Sequence, residues 1–360
     1  MLPFITETKS VWENIQTTAK PIVLYGMGNG ADKIIDWCEA HQVKVSGIFA
    51  TDEFVRYQKF RGLVVEKYSD IIARFGSDIL IVIAFASERP EVLARFKELS
   101  SLHETVAPHL PLFTEKEIVS HEWLQKNEDC LKEVYELLAD EKSRQVFACT
   151  LNYKLSGKLD YLFACETSRE KDLEEIFAWG EEERYLDLGA YNGDTVEEFL
   201  HLTKGACKRI VAVEPDRRNA RKLRMKADEL GAQGITVEVK ECGIGQVRGL
   251  MNFSDSGGRQ STFVEASKLQ VPVETIDDLA DALGFSYIKF DVEGFEKQAL
   301  GGGEQTIKKF LPKLFVASYH YDEDLFKLPI LIKKISPQYK MFLRKHPYVP
   351  AWELNYLARI

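Results

Sequence analysis

The stretch that most constrains this chain is Tyr185-Leu-Asp-Leu-Gly-Ala-Tyr-Asn-Gly-Asp-Thr195. It predicts a buried strand, a glycine-turned loop and the start of a helix. Tyr185 to Leu188 is apolar apart from Asp187, and Thr195 is followed by Glu197 and Glu198, acids that suit the positive end of a helix. Gly189 and Gly193 allow a sharp turn and let a ligand approach main-chain N–H groups without meeting a Cβ. The pattern points to an α/β fold with a nucleotide-type ligand at the end of the strand.

A second strand, Arg209-Ile-Val-Ala-Val-Glu-Pro-Asp216, ends in Glu214 and Pro215. Glu214 stands about 20 residues beyond the loop, the spacing at which a carboxylate accepts both ribose hydroxyls of a nucleotide. This alone suits NAD equally well. The spacing onward does not favour NAD, because Val237 to Ile244 closes with Glu241-Cys242-Gly243, and Tyr287-Ile-Lys-Phe-Asp-Val-Glu-Gly294 delivers Asp291 and Glu293 at its carboxyl end. Ligands of open α/β sheets sit at those carboxyl ends, where strand order reverses.

The loop Asp187 to Thr195 and the strand Ile288 to Gly294 resemble those of the FkbM-type S-adenosylmethionine (SAM) methyltransferases. The resemblance runs through Pro272-Val-Glu-Thr-Ile-Asp-Asp278 and Tyr319-His320 to Tyr339–Arg344 and Trp352–Arg359, roughly the second half of the chain. It implies a transferase with SAM as cofactor, on a class I SAM-methyltransferase fold: a doubly wound α/β sheet with an antiparallel last strand, over residues 179–360.

On this reading Asp187 meets the ammonium of SAM, and the backbone of Gly189, Ala190, Tyr191, Asn192 and Gly193 meets its carboxylate. Asp194 and Thr195 open the helix, Asp194 either capping it or touching ligand. Glu214 takes the ribose, Glu241 approaches adenine or faces water, and Cys242 is read as a small packing residue inside the cofactor pocket. Transfer to a hydroxyl calls for a base, and the catalytic candidates are His320, Asp291 and Glu293. His320, at the end of the strand Leu314 to Ser318, would serve with an ordinary pKa of about 6.5. Asp291 borders the cofactor as well. Lys289 lies mid-strand, where a charge is costly unless paired, so an ion pair is expected. The acids and His320 are hard-ligand types without tight metal spacing, and no metal site is assigned.

The chain has 360 residues, and that length suggests about two domains. Ahead of the second domain, Pro21-Ile-Val-Leu-Tyr25 leads into Gly26-Met-Gly-Asn-Gly-Ala31, and further strands are expected at Val43–Phe49, Gly62–Val65 and Ile79–Phe85. This alternation predicts a smaller Rossmann-like domain over 1–112. It resembles the amino-terminal modules of sugar-modifying enzymes. The second strand there ends in Phe49-Ala-Thr-Asp52, without an acid at the ribose position. A retained nucleotide site and a purely structural or dimer-forming role both stay open. Between the two, Leu131, Val134 and Leu138 recur at helical spacing and predict a helical connector over 113–178.

A net charge of -9 argues against a nucleic-acid partner, which would need a basic stripe. The longest apolar run, Ile79 to Ala86, is far short of the ~20 residues that span a bilayer, so a cytoplasmic protein without a membrane partner is expected. Its six cysteines form no Cys-x-x-Cys pair, which fits reduced thiols. The reading is a methyltransferase acting on a hydroxyl of a small-molecule acceptor, a sugar or secondary metabolite, with a homodimer left open. Its rivals are an NAD-linked oxidoreductase or epimerase on nucleotide sugars, using the Gly26 loop, and a non-catalytic SAM-binding protein.

Overall fold

The computed structural model describes residues 2–112, 118–253 and 269–360, so the start of the expected connector, 113–117, lies outside the described residues. The chain divides into two compact units that are not contiguous in sequence. The first takes residues 1–135, 141–166 and 345–353, and the second takes 136–140, 167–344 and 354–360. The helical stretch between the sheets is therefore shared out. Glu141–Ser156 and Leu159–Cys165 fall in the first unit, and Arg169–Ile176 in the second.

The first unit is built on six strands: β1 (Ile22–Tyr25), β2 (Val45–Phe49), β3 (Lys59–Phe60), β4 (Leu63–Glu66), β5 (Leu80–Ile83) and β6 (Glu104–Val106). Their order is β3-β4-β2-β1-β5-β6. All pairs are parallel except β3 with β4. Alternate residues of β1 and β5 enter opposite cores: Leu24, Leu80 and Val82 one, Val23, Tyr25, Ile81 and Ile83 the other. A sheet buried on both faces explains why these strands read as continuous apolar runs. The helix Asn29–Ala40 begins inside the glycine loop Gly26–Ala31, with Gly28 as its N-cap.

The second unit carries β7 (Arg184–Leu188), β8 (Arg209–Val213), β9 (Val237–Lys240), β10 (Gly243–Ile244), β11 (Gly249–Phe253), β12 (Leu269–Glu274), β13 (Tyr287–Phe290), β14 (Lys313–Ala317), β15 (Lys340–Lys345) and β16 (Leu354–Arg359). Seven of them form one sheet in the order β15-β16-β14-β13-β7-β8-β9. β7 lies between β8 and β13, so strand order reverses there, which is where a ligand crevice opens. β16 pairs antiparallel with β14, and the expected antiparallel last strand is present.

The stretch Val237 to Ile244 is divided between two sheets. β9 closes the edge of the large sheet, while β10 joins β12 and β11 in a separate three-stranded sheet. The break falls at Glu241, whose carboxylate is drawn to Arg224 at 2.5 Å and Arg217 at 3.5 Å, and at the buried Cys242.

One face of the large sheet is an aromatic core. Tyr185 stacks on Tyr287 at 4.8 Å and on Phe199 at 4.5 Å, and Phe315 and Leu357 continue the row. The helices Arg169–Ile176, Asp194–Leu202 and Arg217–Gly231 cover this face with Leu173, Val196, Phe199 and Leu223. Asp187 and Lys289 lie on the same face, two residues beyond Tyr185 and Tyr287, because strand side chains alternate. That parity puts two charges at the rim of an apolar layer.

Candidate active site

Parallel register sets Lys289 of β13 opposite Asp187 of β7. The Lys289 ammonium stands 3.2 Å from Asp187 Oδ1 and donates to the Gly189 carbonyl at 3.1 Å. Thr195 Oγ1 donates to the other Asp187 oxygen at 2.5 Å. Burial works against the Lys289 charge, but the Asp187 and Asp291 carboxylates outweigh it and hold the ammonium above its ordinary pKa. The expected ion pair at Lys289 is thus present.

Asp187, which can meet a ligand or hold the loop, is engaged with the loop in this structure. Its carboxylate is fully buried and both oxygens are engaged, so it clamps the strand, the loop and the helix start together.

The loop backbone is also committed internally. Gly189 and Ala190 N–H both donate to the Val213 carbonyl at 3.0 Å, Gly193 N–H donates to Ala190, and Tyr191 N–H donates to Glu214. These four donors, expected to grip a carboxylate, are spent on holding the loop against β8. Asn192 and Asp194 form the turn, with Asn192 Oδ1 accepting from Asp194 N–H at 3.3 Å and Asp194 Oδ1 from Thr195 N–H at 2.8 Å. Gly189 is required here by space as well as by its φ of 80°. A Cβ would lie 1.9 Å from the Asp291 carbonyl oxygen, the closest approach of loop and β13.

Glu214 ends β8 beside Pro215 with a carboxylate that is only 7% exposed. It accepts from Tyr191 N–H and Asp216 N–H, each at 2.9 Å, which fixes both oxygens at the crevice and leaves each further acceptor capacity. Burial pushes its pKa up to about 7, against the pull of those two N–H groups. Glu241 is paired with Arg217 and Arg224, and burial pushes the Cys242 thiol up to about 12, so Cys242 is an inert packing residue.

The acids at the end of β13 gather around one imidazole. His320 Nδ1 is 3.1 Å from Glu296 Oε1, and Nε2 is 3.4 Å from Glu293 and 3.7 Å from Asp291. Asp291 also accepts from the Tyr319 hydroxyl at 3.0 Å. His320 and Glu296 are almost wholly buried, with side chains 1% exposed, while Asp291 and Glu293 open to solvent at 30% and 35%. Burial alone favours a neutral ring, but the Glu296 and Glu293 carboxylates overcome it and raise the His320 pKa well above its ordinary value.

Those carboxylates favour a ring that already carries its proton, which works against the expected role of His320 as a base near neutrality. Burial raises the Glu293 carboxyl above the usual carboxylate range, against the pull of His320. Glu293 also sits at a φ of 53°, a conformation that a non-glycine residue rarely holds unless its surroundings enforce it. Glu296 was missed in the sequence. The signal was a third acid in Asp291-Val-Glu-Gly-Phe-Glu296, which the first turn of the helix Glu296–Gly302 swings under the strand end.

In the first unit the ribose position, directly after β2, is Ala50; Phe49 before it stacks on Tyr25 at 4.6 Å, and Asp52 lies outside on a short 3-10 turn.

Residues 187–349 match the family model described as the methyltransferase FkbM domain. The second unit belongs to the FkbM methyltransferase family. The FkbM domain makes this chain a SAM-dependent methyltransferase, and β7 to β16 carry the class I SAM-methyltransferase fold. Among solved structures, the chain is similar to the methyltransferase FkbM from Methylobacillus flagellatus KT at 21% identity and a TM-score of 0.74, covering 99% of this chain and 95% of that one. A weaker likeness, at 12% identity and a TM-score of 0.32, is to SMU.1697c from Streptococcus mutans, a putative methyltransferase in complex with SAH (S-adenosylhomocysteine). That likeness covers 53% of this chain and 95% of that one. No curated protein matches the chain. Among the described residues no helix is long and apolar enough to cross a membrane.

Proposed function

We propose that the FkbM domain transfers a methyl group from SAM to a hydroxyl of a small polyhydroxylated acceptor, a sugar or a related metabolite. The observation that carries this reading is Glu293, a half-buried carboxylate of raised pKa that opens to solvent at the end of β13, beside the strand that bears the glycine loop. Glu214 supports the cofactor half of the reading. Its two oxygens, held by backbone donors at the end of β8, suit the paired hydroxyls of the SAM ribose. The partly exposed rim beside Tyr191 and Asn192 remains for the amino-acid portion.

Bound SAM supplies a methyl on a sulfonium, so displacement by the acceptor oxygen forms a C–O bond, breaks the C–S bond and releases SAH. The protein's share is alignment and removal of the hydroxyl proton. Glu293 takes that proton and passes it to solvent through its exposed edge. Asp291, held by Tyr319, accepts a hydrogen bond from the acceptor and orients it. His320, charged and buried, keeps Glu293 and Asp291 in place. Carboxylates are natural partners of neutral hydroxyls, and they repel a phosphate backbone, which favours a sugar-like acceptor over nucleic acid.

The test is Glu293→Gln. SAH binding by calorimetry should stay within about twofold of wild type, and methyl transfer to a sugar acceptor should fall about 10²–10⁴-fold, the usual worth of a positioned base. Undiminished turnover in that variant removes Glu293 from the mechanism.

A further inference from the structure

We propose that Asp291, Glu296 and His320 form a site for a hard divalent cation, Mn²⁺ or Mg²⁺. Carboxylate oxygens of Asp291 and Glu296 and a ring nitrogen of His320 all lie within 4.8 Å of one another. The ring presents Nδ1 to Glu296 at 3.1 Å and Nε2 to Asp291 at 3.7 Å, so an ion would take one of the two nitrogens together with both carboxylates. Around an octahedral ion with bonds of about 2.1 Å, neighbouring ligand atoms stand about 3 Å apart and opposite ones about 4.2 Å. The cluster, within 4.8 Å throughout, needs only a small contraction to reach that spacing.

A second observation is independent of the acids. Both ring nitrogens of His320 are buried, and neither makes an aligned hydrogen bond, although carboxylate oxygens stand close by. Buried polar atoms are almost always satisfied by well-aligned partners, so a ring that meets its acceptors only through poorly aligned ion pairs has a place for a partner between them. A cation that displaces the ring proton takes the lone pair freed on one nitrogen and satisfies the carboxylates at once.

Charge points the same way. Asp291, Glu293 and Glu296 surround a single imidazole, and the ammonium near Asp291, Lys289, stands 3.9 Å away and is already committed to Asp187. Exposure is graded as a bound ion needs: the Glu296 and His320 side chains form the buried floor, and Asp291 opens the site to solvent. The open side leaves coordination positions for water or an acceptor hydroxyl. Oxygen ligands select Mg²⁺ or Mn²⁺, and the imidazole tilts the preference toward Mn²⁺. The ion's role rests on the methyltransferase reading, in which it would carry the acceptor hydroxyl beside Glu293.

The experiment is a Mn²⁺ titration of the full chain after chelator treatment, followed by electron paramagnetic resonance, with SAH calorimetry run in parallel. The expected result is about one Mn²⁺ per chain. Affinity should fall at least tenfold in Asp291→Asn and Glu296→Gln, with the circular dichroism of Asp291→Asn unchanged. Asp291→Asn, altered at the partly exposed ligand, keeps the test valid should the buried Glu296→Gln not fold. Wild-type chain that binds SAH but no stoichiometric Mn²⁺ overturns the site, as does folded Asp291→Asn that binds Mn²⁺ as tightly as wild type. Mn²⁺ bound without SAH binding supports the site and overturns the methyltransferase role assigned to the ion.

Discussion

At the scale of single residues, Glu214 gives the sharpest expectation because its pKa is displaced in a known direction. An unperturbed glutamate titrates near 4.3, and burial moves Glu214 to about 7 in the folded chain. The fold therefore retains a proton that the unfolded chain releases. The stability from this group is complete below the ordinary pKa and is lost as pH rises through about 7. Binding runs the other way, since ribose hydroxyls donate to the ionised form. SAH affinity should tighten by up to roughly tenfold per pH unit as pH rises toward 7 and then level off. Calorimetry from about pH 5.5 to 8.5 reads this directly, and Glu214→Gln should bind more weakly at pH 8 with a nearly flat profile. A flat wild-type profile would take Glu214 off the ribose. The position of Glu214 was readable because it depends only on strand length and loop spacing. The chemistry of His320 was not, because it depends on Glu296, which enters from a helix that the strand pattern does not show.

At the scale of elements, the glycine loop owes its shape to packing. Strand β7 and the helix after it were readable from the apolar run and the acids near Thr195. The commitment of the Gly189, Ala190, Tyr191 and Gly193 N–H groups was not, since it depends on how β8 lies against the loop. The same register explains Lys289. Its pairing with Asp187 across β7 and β13 is buried, and a buried pair costs far more when broken than when replaced as a whole. Lys289→Met should therefore destabilise the chain by about 3–5 kcal/mol, because it leaves Asp187 charged and buried beside Thr195 alone. The double variant Asp187→Leu with Lys289→Met should recover part of that loss, and chemical denaturation of the four chains of the cycle measures the coupling. A loss below about 1 kcal/mol in the single variant would mean that Asp187 finds solvent or takes up a proton at no cost. The small sheet β10-β12-β11 escaped the sequence reading for a different reason: β10 has only two residues, too few to show a period.

At the scale of the whole molecule, alternating strands and helices made both α/β sheets readable, while the division into units was hidden. Residues 345–353, from the last residue of β15 to the start of β16, and 136–140, from the end of the helix Glu128–Leu137 to the next helix, each group with the unit remote from them in sequence. No local pattern encodes that. Two glycine loops follow first strands in this chain, and only one has the acids that a nucleoside requires. After Leu188 come Glu214 at the end of β8 and Asp291 at the end of β13. After Tyr25 the corresponding position, directly after β2, is Ala50, and Phe49 before it stacks on Tyr25. SAM should therefore depend on the second loop alone. Gly28 has a φ of 116° and open space around its Cβ position, so Gly28→Val strains the backbone of the first unit without meeting a neighbour. The expected outcome is a lower melting temperature with SAH affinity within about twofold of wild type, measured by calorimetry on protein whose circular dichroism shows it folded. A folded Gly28→Val chain that no longer binds SAH would move the cofactor to the first loop, and with it the acids that the geometry now assigns to methyl transfer.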